Sequence, residues 1–273
     1  MIPIRDVNPT ARFAWVTLGL IVLNVAAFFF WEPIGSDPAA QQTFFLCHAQ
    51  IPYEVTHQTG LAEGGSGARR AIEHDYGASA AEAGEAQQSL RKACPHKPWA
   101  ASVFVSMFLH GGLLHLGGNM LFLWVFGNNV EDRFGRLRYL LFYLVGGLAA
   151  AALQFAVGPN SVLPSLGASG AIAAVLGAYL VMFPGARVKT LVFVFPVYLS
   201  AGFLLGWWFF LQVLHGVGGL GTQVNGGVAY WAHIGGFLFG LAVAWASRSF
   251  DTRDRGMPEG PRFGHRRPVA SDY

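Results

Sequence analysis

Charge is scarce in this chain. Lysine, arginine, aspartate and glutamate make up 12% of its 273 residues, against about 25% in an ordinary soluble domain. That supply is too small to cover one or two water-soluble domains of this length. Cysteine is nearly absent, with only Cys47 and Cys94. No HExxH occurs, which removes the zinc-protease helix from consideration. The net charge is only +3, and no basic face with interleaved aromatics marks a nucleic-acid surface. What is abundant is apolar. Hydrophobic residues reach 53%, and there are 35 glycines, nearly twice the usual share of about 7%. The composition excludes a disordered chain and points to a multi-pass membrane protein.

A bilayer core needs about 20 mostly apolar residues as helix. Such runs are predicted at 13–31, 100–126, 139–157, 163–182, 190–214 and 228–246, giving six transmembrane helices. Orientation follows from lysine and arginine. Thirteen of the eighteen fall in 1–12, 127–138, 183–189 and 247–273, while Arg69, Arg70, Arg91, Lys92 and Lys97 share one long loop on the other side. Both termini are therefore expected in the cytoplasm. The first apolar run is 19 residues and is followed by Glu32-Pro33, too long for a cleavable signal core of about 7–15. It reads as an uncleaved span. The expected organisation is a cytoplasmic N-terminus (1–12), a first span (13–31), a long extracytoplasmic loop (32–99), a core of five further spans (100–246) and a disordered cytoplasmic tail (247–273).

Both cysteines lie in the long loop, on the oxidising side. A disulfide between them is the first expectation, with free thiols second. A metal site using Cys47-His48 and Cys94-Pro95-His96 ranks third, because the spacing fits no standard zinc pattern. The Gly-, Ala- and Glu-rich stretch 63–86 is consistent with a flexible segment or a surface helix.

Polar side chains at membrane depth are costly and mark function by default. Three groups stand out. In HGGLLHLGGNM, His115 and Asn119 are spaced i, i+4, which puts them on one helix face. They can serve as oxyanion donors or as an interhelical hydrogen-bond pair. His110 lies further out and reads as structural. Ser169, in Gly167-Ala168-Ser169-Gly170, is either a close-packing serine or a nucleophile at a helix N-terminus whose N–H groups face an oxyanion. His233, in Ala232-His233-Ile234-Gly235-Gly236, is either a cross-bundle hydrogen-bond partner or a general base. Gly236 and Gly240 on its helix match Gly170, Ala173, Ala174 and Gly177 on the fourth. Two small-residue stripes let the helices approach until serine meets histidine.

The ordered set H-x4-H-x3-N, G-x-S-G and A-H-x2-G-x3-G, on alternate helices of a six-helix chain, resembles the rhomboid family of intramembrane serine proteases. The stretch Val130-Glu131-Asp132-Arg133-Phe134-Gly135 is similar to that family's acidic-basic turn and reads as structural. The resemblance implies an all-α membrane protein, a six-transmembrane-helix bundle of the rhomboid type. In it Ser169 is the nucleophile and His233 the general base, and His115 and Asn119 join the Ser169 N–H in the oxyanion hole. It further implies transmembrane protein substrates admitted between the second and fifth helices, no cofactor and no metal. An aromatic residue commonly packs on the family's catalytic histidine from four positions after the serine. Here that position is Ala173, which leaves the orientation of His233 unexplained. The alternative within the superfamily is a non-proteolytic member that binds client transmembrane helices. A transporter would show charged or unwound midplane helices, which these spans lack. With no transit peptide and no seventh span, a prokaryotic plasma membrane is the expected location. Oligomeric state, substrate identity and the role of the long loop are not encoded in any motif.

Overall fold

The computed structural model describes residues 1–219 and 228–250, so most of the C-terminal tail assigned above to disorder lies outside the described residues. The elements in chain order are β1 (Ile2–Asp6), α1 (Trp15–Phe30), α2 (Pro38–His48), α3 (Pro52–His57), α4 (Gly65–Tyr76), α5 (Ala80–Ala93), α6 (Trp99–Val105), α7 (Leu113–Phe134), α8 (Arg136–Val157), α9 (Ser169–Met182), β2 (Arg187–Val192), β3 (Phe195–Ser200), α10 (Ala201–Gly218) and α11 (Tyr230–Phe250). The fold is mostly helical. Among the described residues, α8 and α10 are long and apolar enough to cross a membrane, and α6 with α7 makes a third crossing if the bent pair is counted as one.

The first span begins with a borrowed cap. No side chain of its own caps α1. Instead the Glu131 carboxylate on α7 accepts the N–H groups of Val16 and Thr17 at 3.0 and 2.7 Å, and the Thr17 hydroxyl at 2.8 Å. A buried acid placed at the positive end of a helix satisfies donors that the helix itself leaves open. The acidic-basic turn therefore has the structural role expected of it.

Two predicted spans need correction. The run 100–126 is not one helix: α6 ends in a 3-10 turn at Ser106–Phe108, and α7 starts at Leu113 after a 77° bend. Consecutive glycines at 111 and 112 make continued helix unfavourable, and Leu109 is extended. The run 190–214 is strand before it is helix. Residues 187–200 form the β2–β3 hairpin, with Val188 opposite Leu199 and Val192 opposite Phe195, and β1 pairs antiparallel on the other side of β2. Val188, Thr190, Val192 and Val197 are β-branched and suit strand. Pro196, which has no N–H to donate, sits on the edge strand β3. Ser200 ends the sheet by accepting the Phe203 N–H, which caps α10. An apolar run alone does not separate strand from helix, and this is where the hydropathy reading failed.

At the centre lies α9, buried on every side from Gly170 to Tyr179, as a helix apolar all round must be. It packs mainly on α11, with α8 and α7 around it. Its contact with α11 is backbone to backbone. A methyl group at Gly236 would fall on the Gly170 carbonyl oxygen, one at Gly240 on that of Ala174, and one at Gly177 on that of Phe237. The two small-residue stripes are thus mutual.

The long loop is a folded insert. Helices α2–α5 enclose a small core of Ile51, Tyr53, Leu61, Ile72 and Leu90, with Val162 added from the loop before α9. The undecided stretch 63–86 is mostly helical: α4 occupies its first half, and α5 opens with a capping box between Ser79 and Glu82. A disulfide joins Cys47 to Cys94, which takes up both sulfurs that the thiol and metal readings required. Beneath it Lys97 Nζ donates to the carbonyls of Leu46 and Ala49 at 2.8 and 2.7 Å and pairs with Glu54 at 2.6 Å. Burial pulls the Lys97 ammonium below its ordinary pKa, and the Glu54 carboxylate opposes that shift.

The disulfide closes a 47-residue separation, worth about 4 kcal/mol in the chain-entropy account. Replacing both Cys47 and Cys94 by serine should expose the insert to protease at a clearly lower denaturant concentration than the wild type needs. Alkylation of the native protein should find no free thiol until a reductant is added. Two thiols found without reductant would refute the pairing.

Candidate active site

Ser169 is the first residue of α9. The loop before it is held from two sides. The Gly167 N–H donates to the Ser106 carbonyl at 2.8 Å, and the Ser165 N–H donates to the Gln50 carbonyl at 2.9 Å. The Gln50 N–H in turn donates to Ser106 Oγ. The α6–α7 bend and the insert therefore both shape the approach to the serine. A helix that starts at Ser169 leaves its first N–H groups without intrahelical partners.

His233 lies in the first turn of α11, and the tight α9–α11 contact carries it to the serine: His233 Nε2 and Ser169 Oγ are 2.8 Å apart. Its other ring nitrogen, Nδ1, is 2.8 Å from Oε1 of Gln212 on α10. Trp208, one turn earlier on α10, and Tyr230 flank the imidazole with ring centroids 5.8 and 6.5 Å away. Ala173 places only a methyl group four residues beyond the serine, so α10 supplies what α9 lacks. Gln212 was not among the expected site residues. A glutamine in an aromatic run gives little local signal, and its relevance comes only from the packing of α10 on α11.

His115 and Asn119 share the inner face of α7. A methyl group built on Gly167 would lie 2.8 Å from Cε1 and Nε2 of His115 and 3.5 Å from Ser169 Oγ, so the ring and the hydroxyl flank the same point. His115 Nδ1 accepts the Gly111 N–H at 3.4 Å. Asn119 is buried, and its Nδ2 donor has no hydrogen-bond partner among the described residues. A donor held in this way is preorganised for charge that develops later. His110 is buried with its ring edge-on to His115, 5.2 Å between centroids, and its backbone N–H donates to Glu32 at 2.9 Å. Burial pushes the Glu32 carboxyl up to about 7, against the lowering effect of that bond. No cluster of three or more histidine, cysteine, aspartate or glutamate residues among the described residues is arranged to hold a metal ion.

A mostly helical bundle with exposed apolar side chains and a serine–histidine contact at the end of a buried central helix defines a class: helical membrane proteins. A family model described as the Rhomboid domain matches residues 96–250, and the chain belongs to the rhomboid family. It is 35% identical over 149 residues to Rhomboid protein 1, mitochondrial, of Saccharomyces cerevisiae, covering 53% of this chain and 41% of that protein. It is 29% identical over 161 residues to the Presenilin-associated rhomboid-like protein, mitochondrial, of Homo sapiens, covering 53% and 37%. Over 72 residues it is 46% identical to Rhomboid protease GluP of Bacillus subtilis, covering 26% and 14%. The chain thus matches about two fifths of the length of the mitochondrial relatives. Their names correct the expectation of a prokaryotic plasma membrane. That expectation rested on a missing transit peptide and a missing seventh span, and an absence of that kind carries no information on location.

Gly167 has φ +119°, a region that L side chains rarely adopt, and an added methyl would press on the His115 ring. Gly167→Ala should therefore still fold but cost about 1–3 kcal/mol, read as a lower midpoint of thermal unfolding in detergent. An unchanged midpoint would show that residue 167 is not held at this φ against the His115 ring.

Proposed function

We propose that this protein is a serine endopeptidase that cleaves transmembrane segments of other membrane proteins through a Ser169–His233 dyad. The observation that carries the reading is the 2.8 Å contact between Ser169 Oγ and His233 Nε2. It joins a nucleophile and a base that are 64 residues apart. Neutral His233 takes the serine proton as Oγ attacks the scissile carbonyl. The tetrahedral oxyanion is met by the Ser169 N–H, His115 and Asn119. The imidazolium then returns its proton to the leaving amine. Water, activated by the same histidine, hydrolyses the acyl-enzyme. Retention of both serine and histidine, in contact, weighs against a non-proteolytic client-binding member. The relative named as a protease, GluP, supports the activity at the level of the family.

The reading places six spans in the bilayer: α1, α6 with α7, α8, α9, α10 and α11, with both termini on the side that holds most of the arginines. Exposed apolar side chains such as Val22, Leu141, Phe210 and Trp245 suit a lipid-facing surface. The disulfide supports an oxidising side for the insert, opposite the loops that hold most of the arginines. At 14 residues, α9 is about 21 Å long, short of a hydrocarbon core of about 30 Å. With Met182 at the inner interface, Ser169 lies about 10 Å below the outer one, within reach of water from the insert side and of substrate from the lipid side.

In detergent with a model transmembrane substrate, Ser169→Ala and His233→Ala should each abolish cleavage while the protein remains folded. Asn119→Ala should lower it by a factor of order 10–1,000. A serine-directed fluorophosphonate should label the wild type and not Ser169→Ala. Full cleavage by Ser169→Ala would end the proposal.

A further inference from the structure

A histidine base works only in the right tautomer. If the proton sat on Nε2, an N–H would point at Ser169 Oγ and the ring could not accept the serine proton. Proteases with a full triad settle this by placing a carboxylate at Nδ1. Here the partner within 2.8 Å of Nδ1 is the Gln212 side-chain carbonyl. The amide itself is fixed end for end, since Gln212 Nε2 donates to the Trp208 carbonyl at 3.3 Å. That bond turns Oε1 toward the imidazole. The histidine must then donate from Nδ1, and its Nε2 lone pair faces the serine.

We infer that Gln212 is the positioning residue for His233, a neutral hydrogen-bond acceptor on α10 that selects the base's tautomer and fixes its ring plane. The inference rests on the dyad reading above. It supplies the orienting group that Ala173 cannot. It also makes the competence of the base depend on where α10 sits, because the acceptor and the flanking Trp208 both belong to that helix while serine and histidine belong to α9 and α11. The carboxamide carries no charge, so it orients the imidazole in its neutral and protonated forms alike. A carboxylate would add a fixed charge within the apolar stretch of a span, where the sequence has no acidic residue.

The test compares purified full-length variants on a transmembrane-segment substrate in detergent. Gln212→Leu removes the acceptor and should lower kcat about 10- to 100-fold, the scale reported for groups that orient an imidazole from behind, with KM nearly unchanged. Gln212→Glu, held as the neutral acid by burial, keeps a carbonyl oxygen at the same reach and an O–H to donate to the Trp208 carbonyl, and should recover most of kcat. Fluorophosphonate labelling of Ser169 should slow in parallel with kcat in the leucine variant and recover in the glutamate variant. Wild-type kcat in Gln212→Leu overturns the inference, and so does a loss shared equally by both variants, since only one lacks the acceptor. Should Gln212→Leu fail to fold, Gln212→Met replaces it in the same comparison. Failure of the dyad reading is separately visible: Ser169→Ala would then cleave fully, whatever residue stands at 212.

Discussion

The closeness of α9 to α11 is the constraint on which the rest of the structure depends. Gly177, Gly236 and Gly240 leave carbonyl oxygens of one helix where side chains of the other would otherwise stand. In lipid there is no solvent-driven pressure between apolar helices, so van der Waals contact between backbones must hold them together. Any Cβ at these points would push the axes apart. The 2.8 Å contact between Ser169 and His233 tolerates no such movement, because a hydrogen bond weakens quickly beyond about 3.2 Å. These three glycines are therefore a geometric requirement of the Ser169–His233 contact.

A second constraint fixes the height and opening of the site. Helix α9 is short because its chain enters through an irregular loop, and irregular backbone at membrane depth must find hydrogen-bond partners within the protein. Ser106 supplies two of them. Its carbonyl receives the Gly167 N–H and its hydroxyl receives the Gln50 N–H. Gln50 passes the connection on to Ser165. The bend between α6 and α7 is what presents Ser106 in this position, so the break in the second apolar run is part of the site's construction. The insert gains a role here as well. Three residues beyond the disulfide-linked Cys47, its backbone is hydrogen-bonded to the loop that delivers the serine.

The parts of the fold legible in the sequence are those in which one residue type does one physical job. Small residues spaced by four showed which helices touch. The i, i+4 pair of His115 and Asn119 showed one polar face. Glycine on both sides of Ser169 foretold a helix start. Illegible were the features set by several elements together. Residues 190–200 are as apolar as a span, and only their β-branching and Pro196 betray the hairpin that β1 completes. The stretch 63–86 looked undecided because glycine, alanine and glutamate dominate its composition, although Ser79 and Glu82 carry a capping signature. Gln212 gave no sign at all. Its helix is aromatic and lipid-facing on one side, and a glutamine there acquires meaning only once α10 lies against the first turn of α11.

That last case bears on how an imidazole can be held inside a membrane without an acid. A buried carboxylate at membrane depth must be paired or neutralised, and an unpaired one is among the costliest groups a bundle can hold. The carboxylates at the ends of these helices follow the rule: Glu131 is saturated by the donors of α1, and Glu32 at the outer rim is driven toward its neutral form by burial. A carboxamide escapes the difficulty. It offers the same oxygen to Nδ1 with no net charge to desolvate, and its second hydrogen-bonding end is satisfied on its own helix. In the mechanism proposed above, the imidazolium formed during attack would have no fixed counter-charge, which would place more of the transition-state stabilisation on the oxyanion side. The helix start at Ser169 and the His115 ring flank one point there, and the unpartnered Asn119 amide lies one turn further along α7. In that mechanism the scarcity of charge within the spans and the unpartnered donor of Asn119 are two aspects of one solution: within a low-dielectric bundle, preorganised dipoles would do the work that an ion pair does in water.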